Sequence, residues 1–226
     1  LESAAATNPD AARLWYLMGT AHQRLGENFC DVVYDKGPLQ PRTASFDSAV
    51  IAFNQAKAIG AAANAATYIT AGWGGLAQAY VGLGDWGSAV AAAANVPTSY
   101  SIEAHYHQGA NSNQVYNETW GRAEVGVWAT PVQRQYNPSV DANYVSTGDP
   151  RVPYTMCGMW TDTNRPPDVT LGTQTTTVCV GKGSGAHQGA GGLTAHYRQN
   201  KYDERGSDVP TITGTEMRLI EAENAV

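Results

Sequence analysis

Two stretches within the first hundred residues carry the same order of large and small side chains at a fixed distance. Trp15, Met18, Gly19 and His22 correspond to Trp73, Leu76, Ala77 and Tyr80 at an offset of 58, and each set is followed by a glycine, Gly26 or Gly84. Downstream of each set a second apolar stretch repeats as well, with Ala49 and Phe53 matching Ala89 and Ala93. Such a chain is constrained to stack helical hairpins, because a single hairpin cannot bury its own apolar face.

The local signals agree with that frame. In "NPDAARLWYLMGTAHQRLG", Asn8 is an N-cap and Pro9 takes the first helical position, where its missing N–H costs nothing. The spacing predicts a helix over residues 9–25 with Leu14, Leu17, Met18, Ala21 and Leu25 on its buried face and Gly26 as its stop. A second helix, "SFDSAVIAFNQAKAIG", is expected to be capped by Ser45, to bury Phe46, Ala49, Val50, Phe53 and Ala56, and to end at Gly60. "AGWGGLAQAYVGLG" and "DWGSAVAAAANV" supply the third and fourth helices. The pattern resembles the tetratricopeptide (TPR) motif, W-x2-L-G-x2-Y followed by A-x3-F, stretched beyond its usual period of about 34 residues. Much of the excess in the first unit is a loop at residues 27–43, and a long insertion in a compact hairpin usually serves a function or a partner.

Composition changes near Val96 and Pro97, beyond which glycine, threonine, asparagine and proline dominate. The expected organisation is therefore TPR-like hairpins over residues 1–96, an irregular loop-rich lobe over 97–212, and the start of a further helical unit over 213–226. "RAEVGVWAT" and "TTTVCVG" alternate well enough to be short strands of the lobe. The fold class is mainly α with a few short strands. The final stretch, "GTEMRLIEAENAV", is helical, starts near Thr213 or Thr215, and carries no glycine, proline or basic last turn to close it.

Charge narrows the function classes. A formal net charge of −6 with only 14 Lys+Arg offers no basic stripe for phosphates, which argues against nucleic acid as partner. No apolar run reaches the roughly 20 residues that a membrane helix needs. The three cysteines, Cys30, Cys157 and Cys179, lack the spacing of a zinc site.

Few motifs point to chemistry. "GKGSGA" at 181–186 fits a dinucleotide fingerprint only loosely, with no apolar helix after it, and reads as a flexible loop. His105 and His107 in "HYH" share one side of an extended segment but have no third metal ligand in sight. Glu216 and Glu223, seven residues apart on one helix, stand about 10.5 Å apart along its axis. That pair carries the one enzymatic reading, an inverting glycoside hydrolase, against the simpler role of capping and pairing between helices. No nucleophile elbow is present. The chain is expected not to be an enzyme and to use no cofactor or metal. The lobe is instead rich in aromatics, and Trp120, Trp128 and Trp160 are the candidate ligand-binding residues. Flat aromatic faces bury area against sugar rings or peptide side chains at low entropic cost.

"TEMRLIEAEN" at 215–224 resembles the A-E-x-x-L-x-x-A-E-A helix of the SusD/RagB family of nutrient-binding outer-membrane lipoproteins, with Glu216, Leu219, Ala222 and Glu223 matching and Thr215 and Asn224 in place of alanines. "RLGENFCDVVYDKGPL" at 24–39, "GDPRVPY" at 148–154 and "NKY" at 200–202 are similar to other family segments and occur in the family's order. The resemblance implies a SusD-like fold and a binding protein on the outer face of an outer membrane, held by a lipid anchor outside this chain. It implies a SusC-like TonB-dependent transporter as partner and an oligosaccharide or peptide as ligand. It also implies that the chain is a portion of a longer protein, and that the exported setting permits a Cys157–Cys179 disulfide worth on the order of 3 kcal/mol in the chain-entropy account, with Cys30 free. A general TPR interaction scaffold is the alternative.

Overall fold

The structure is a computed structural model, in which residues 6–121, 154–157, 196–199, 201–202 and 204–225 are described. Helix accounts for 60% of them. The chain forms two units, Leu1–Ala104 with Pro210–Val226, and His105–Val209.

In the first unit, α1 (Pro9–Asn28) starts as its sequence predicts, with Asn8 Oδ1 accepting from the Asp10 amide at 2.9 Å. It does not stop at Gly26, and its buried face is not the leucine stripe. Ala12, Tyr16, Gly19, Gln23 and Gly26 are buried, whereas Leu14, Leu17 and Met18 are 66%, 47% and 40% exposed. The reason lies in α2 (Thr43–Ala62) and α3 (Ala66–Leu83). A Cβ on Gly19 would stand 2.7 Å from the Phe53 ring, and one on Gly75 of α3 would overlap the same ring. One turn-pair away, Gly26 and Gly82 flank the ring of Phe46 in the same manner. Each helix thus repeats its contact after seven residues: glycines 19 and 26, phenylalanines 53 and 46, glycines 75 and 82. The order of the phenylalanines is reversed because α2 runs antiparallel to its neighbours. Small residues face inward on α1 and α3 so that two aromatic rings of α2 can fill the space between their backbones.

Helix α2 also departs from expectation at both ends. Ser45 does not cap it: α2 begins at Thr43, and Ser45 lies in its first turn, fully buried. Gly60 does not end it either. The left-handed residue that turns the chain is Asn64 (φ 53°), and the Ala65 amide reaches back to the Gly60 carbonyl at 2.8 Å. The expected stripe of Phe46, Ala49, Phe53 and Ala56 is buried, with Ala52 joining it and Val50 only partly covered. Gly84 does end α3, in the left-handed conformation at φ 76°, and Asp85 caps α4 (Trp86–Ala93) by accepting from the Ser88 amide. Trp15, Trp73 and Tyr80 are partly buried against this core, and Lys57 Nζ sits 3.1 Å above the Trp73 ring centroid.

The loop inserted between α1 and α2 is a small hairpin. Strands β1 (Asp31–Val32) and β2 (Gln40–Pro41) pair antiparallel, Asp31 with Pro41 and Val32 with Gln40, around a turn whose Asp35 and Lys36 take positive φ. After α4, strand β3 (Ser101–Ala104) lies beside β6 (Val209–Thr213), and α6 (Gly214–Asn224) follows β6 directly. Thr213 is the N-cap of α6, accepting from the Glu216 amide. Met217 and Ile220 enter the same core as Phe53 and Leu76, while Leu219 is 61% exposed. Arg218 donates through Nη2 to the Ala93 and Val96 carbonyls, covering the C-terminal end of α4 where a cation is favoured.

In the second unit, a single helical turn α5 (Gln114–Tyr116) runs into a π-helical turn, Asn117–Gly121. Strands β4 (Tyr154–Cys157) and β5 (His196–Gln199) pair antiparallel, Tyr154 with Gln199 and Cys157 with His196. The strands expected in "RAEVGVWAT" and "TTTVCVG" lie outside the described residues.

Candidate functional site

The second unit contains the ligand-binding candidates, and its described part is held by ties through side chains. Its first and last segments are held together by Asp208, whose Oδ2 accepts from His105 Nδ1 at 2.7 Å and whose Oδ1 accepts from the Tyr106 amide at 2.9 Å. Asn113, 1% exposed, donates from Nδ2 to the Ser207 carbonyl at 2.8 Å, and its own amide donates to the Arg205 carbonyl. Gln108 Nε2 donates to Glu204 Oε2 at 3.1 Å.

A second set of bonds fixes the turn that carries Trp120. Thr119, buried, donates its hydroxyl to the Val115 carbonyl at 2.6 Å and accepts from Gln199 Nε2 at 3.1 Å. Gln199 also donates to the Tyr202 carbonyl and accepts from the Tyr202 amide, both at 2.7 Å. The π-turn therefore holds its backbone against β5 through a buried threonine one residue before Trp120. Single π-turns recur at functional sites because they re-aim side chains out of the helical register. Trp128 and Trp160 lie outside the described residues, as do the 181–186 glycine-rich stretch and Cys179. Cys30 is free and exposed.

The other candidates are placed by the structure as well. His105 and His107 do not share a ligand: His105 is tied to Asp208, and His107 Nδ1 accepts from the Gly109 amide at 3.1 Å. Among the described residues no group of three His, Cys, Asp or Glu side chains could hold a metal. Glu216 is engaged by Gln78 of α3, whose Nε2 donates to Glu216 Oε1 at 2.8 Å and to the Thr211 carbonyl at 3.0 Å. Glu223 is exposed. The Thr211 hydroxyl donates to the Ile102 carbonyl, which leaves Tyr16 to donate its own proton to Thr211 Oγ1 at 2.8 Å. Burial raises the Tyr16 pKa, so that phenol stays protonated and keeps this bond.

Sequence reasoning passed over Asp208, Asn113, Thr119 and Gln199. One signal was available: Asn113 opens "NQVY" as an N-cap, and its Oδ1 accepts from the Tyr116 amide. The others stand in segments without apolar period, where nothing in composition marks a tie across about 80 to 100 residues.

The hydrogen bond from His105, followed by that from the Tyr106 amide, holds the Asp208 carboxyl below its ordinary value of 3.8. A depressed carboxyl stabilises the folded form above its unfolded pKa and loses that contribution as pH falls through the folded one. Acid below pH 3.8 should therefore loosen the base of this unit, read as faster hydrogen exchange at the Tyr106 amide. Asp208→Asn should remove that pH dependence, and an unchanged profile in the variant would place its cause elsewhere.

No helix among the described residues is long and apolar enough to cross a membrane. No protein-family model, curated protein or solved structure matches this chain.

Proposed function

We propose that the chain is the substrate-binding component of an outer-membrane nutrient-uptake complex, SusD-like, that captures an oligosaccharide or peptide and delivers it to a TonB-dependent transporter without chemistry. Its helical hairpins are read as TPR-like units serving as scaffold. The ligand is taken by the loop-rich unit through Trp120, Trp128 and Trp160. The observation that carries this reading is the order of parts around α6. The chain leaves the helical unit after β3, passes through the loop-rich unit, and returns through β6 into the helix that bears the family-like "TEMRLIEAEN". There Glu216 bonds Gln78, and Met217 and Ile220 join the hairpin core, while the other matched positions, Leu219, Ala222 and Glu223, face solvent. The π-turn that carries Trp120, tied to β5 through Thr119, supports a ligand contact at that residue.

One observation favours a second reading, a TPR-type interaction scaffold: Leu14, Leu17 and Met18 present an apolar face of α1 to solvent. The hydrolase reading is the weaker because Glu216 is already bonded to Gln78. Incubation with a panel of labelled oligosaccharides and peptides separates the three. The binder should retain one class and return it intact by mass spectrometry. Shortened products would contradict a pure binder, and peptide binding that survives loss of Trp120, Trp128 and Trp160 would favour the scaffold.

A further inference from the structure

The hairpin between α1 and α2 is attached by little apolar surface. Val32 is 7% exposed, but Phe29, Val33 and Leu39 are 57%, 54% and 68% exposed. Its ladder is two residues long on each strand, and its turn holds two non-glycine residues in the left-handed region, where each carries strain. Such segments open locally at a free energy well below that of the whole domain.

What holds it is a polar relay across three segments. Tyr34 of the hairpin has its hydroxyl 3.2 Å from His22 Nδ1 on α1 and 2.6 Å from Ser45 Oγ on α2. The His22 and Tyr34 rings meet edge to face at 5.5 Å. Ser45 is fully buried, and among the described residues its hydroxyl has Tyr34 as its one side-chain partner. Proton placement then follows. With His22 neutral and Nδ1 unprotonated, Ser45 donates to Tyr34 and Tyr34 donates to His22, so every hydroxyl proton has an acceptor. With His22 doubly protonated, Nδ1–H donates to Tyr34, and three protons then share two contacts. One hydroxyl proton, of Tyr34 or of the buried Ser45, is left without an acceptor in the relay.

We propose that the His22–Tyr34–Ser45 relay is an acid-sensitive pin for the hairpin of residues 29–42, which is released when His22 takes a second proton. Burial lowers the His22 pKa from 6.5, in agreement with the relay's preference for the neutral ring. A histidine lowered in the folded form stabilises it above pH 6.5, and that contribution is lost as pH falls through the folded value. The charged residues of the segments packed on α1 are Asp31, Asp35 and Lys36 on the hairpin and Arg42, Asp47 and Lys57 at α2. On α1 itself Arg24 is paired with Glu27, and α3 has no charged residue. Arg42 lies over the Phe46 ring and Lys57 over Trp73, and burial alone accounts for the shift at His22.

The test is amide hydrogen exchange as a function of pH, corrected for intrinsic rates. The Arg42 amide, bonded to the Cys30 carbonyl, and the Gly37 amide, bonded to the Tyr34 carbonyl, report on the hairpin, and the Asp85 amide, bonded to the Tyr80 carbonyl of α3, is the control. Between pH 7.5 and pH 5 protection of the first two should fall about fivefold or more, the lower end for one hydroxyl left without a partner, with Asp85 unchanged. In His22→Gln the fall should vanish, and in Tyr34→Phe protection should already be low at pH 7.5. Ring titration of His22 by NMR in the unmodified chain should share its midpoint with the loss of protection. Flat protection in the unmodified chain, the same fall in His22→Gln, or separate midpoints overturns the proposal.

Discussion

Phe53→Ala should lower the unfolding free energy by about 3–5 kcal/mol, a large part of the roughly 5–15 kcal/mol typical of a domain. The ring is completely buried, and the positions nearest to it on two sides are glycines. Glycines 19 and 75 have no side chain to relax into the cavity, so the site cannot collapse without moving a helix. The same geometry gives a test of sign. Gly75→Leu should destabilise the unmodified chain, because its Cβ would overlap the Phe53 ring, but should recover part of the loss in the Phe53→Ala background by filling the vacated space from the opposite helix. Denaturant unfolding of the two single variants and the double variant measures this. Additive effects would mean that the ring and Gly75 are not in contact.

Gly214→Ala is the second large effect, expected at or beyond the ~3 kcal/mol upper end of ordinary overpacking. Gly214 is the first residue of α6, its amide donates to the Tyr100 carbonyl at 2.8 Å, and a Cβ there would overlap the Pro97 carbonyl and the Thr98 backbone. Backbone atoms cannot rotate aside as a side chain can, so α6 would have to withdraw, taking Met217 and Ile220 from the core. Gly84→Ala is the comparison. Its left-handed φ makes the substitution unfavourable by about 1–2 kcal/mol, yet no atom lies within 4 Å of the added methyl. The Gly214 variant should melt well below the Gly84 variant, and the reverse order would contradict the packing described for α6.

How far the fold was legible follows from these residues. The helix start at Asn8 and most of the inward stripe of α2 could be read, since each depends on neighbours in sequence. Gly26 and Gly60 were misread as stops because a glycine that admits a neighbouring helix and one that turns the chain look alike until the partner is known. The inward face of α1 was misread for the same reason. Leucine is the stronger hydrophobe, but the space beside α1 is taken by Phe46 and Phe53, whose rings approach so closely at Gly19 and Gly26 that a side chain there would overlap them. Self-comparison aligned the two tryptophans at an offset of 58, whereas the glycines that share a ring, 19 with 75 and 26 with 82, lie 56 apart. In the loop-rich unit the ties made by Asp208, Asn113 and Gln199 join residues distant in sequence, and no local period announces them.

The central claim is that ligand is held by the loop-rich unit and not by the hairpins. It is tested most directly by titrating the chain with the oligosaccharide or peptide that it retains best, before and after replacing Trp120, Trp128 and Trp160 together by alanine. The expected result is an affinity reduced about tenfold or more, as for loss of aromatic stacking, with the helical unit still folded by circular dichroism. A folded triple variant with unchanged affinity would contradict the claim and move the site to another part of the chain.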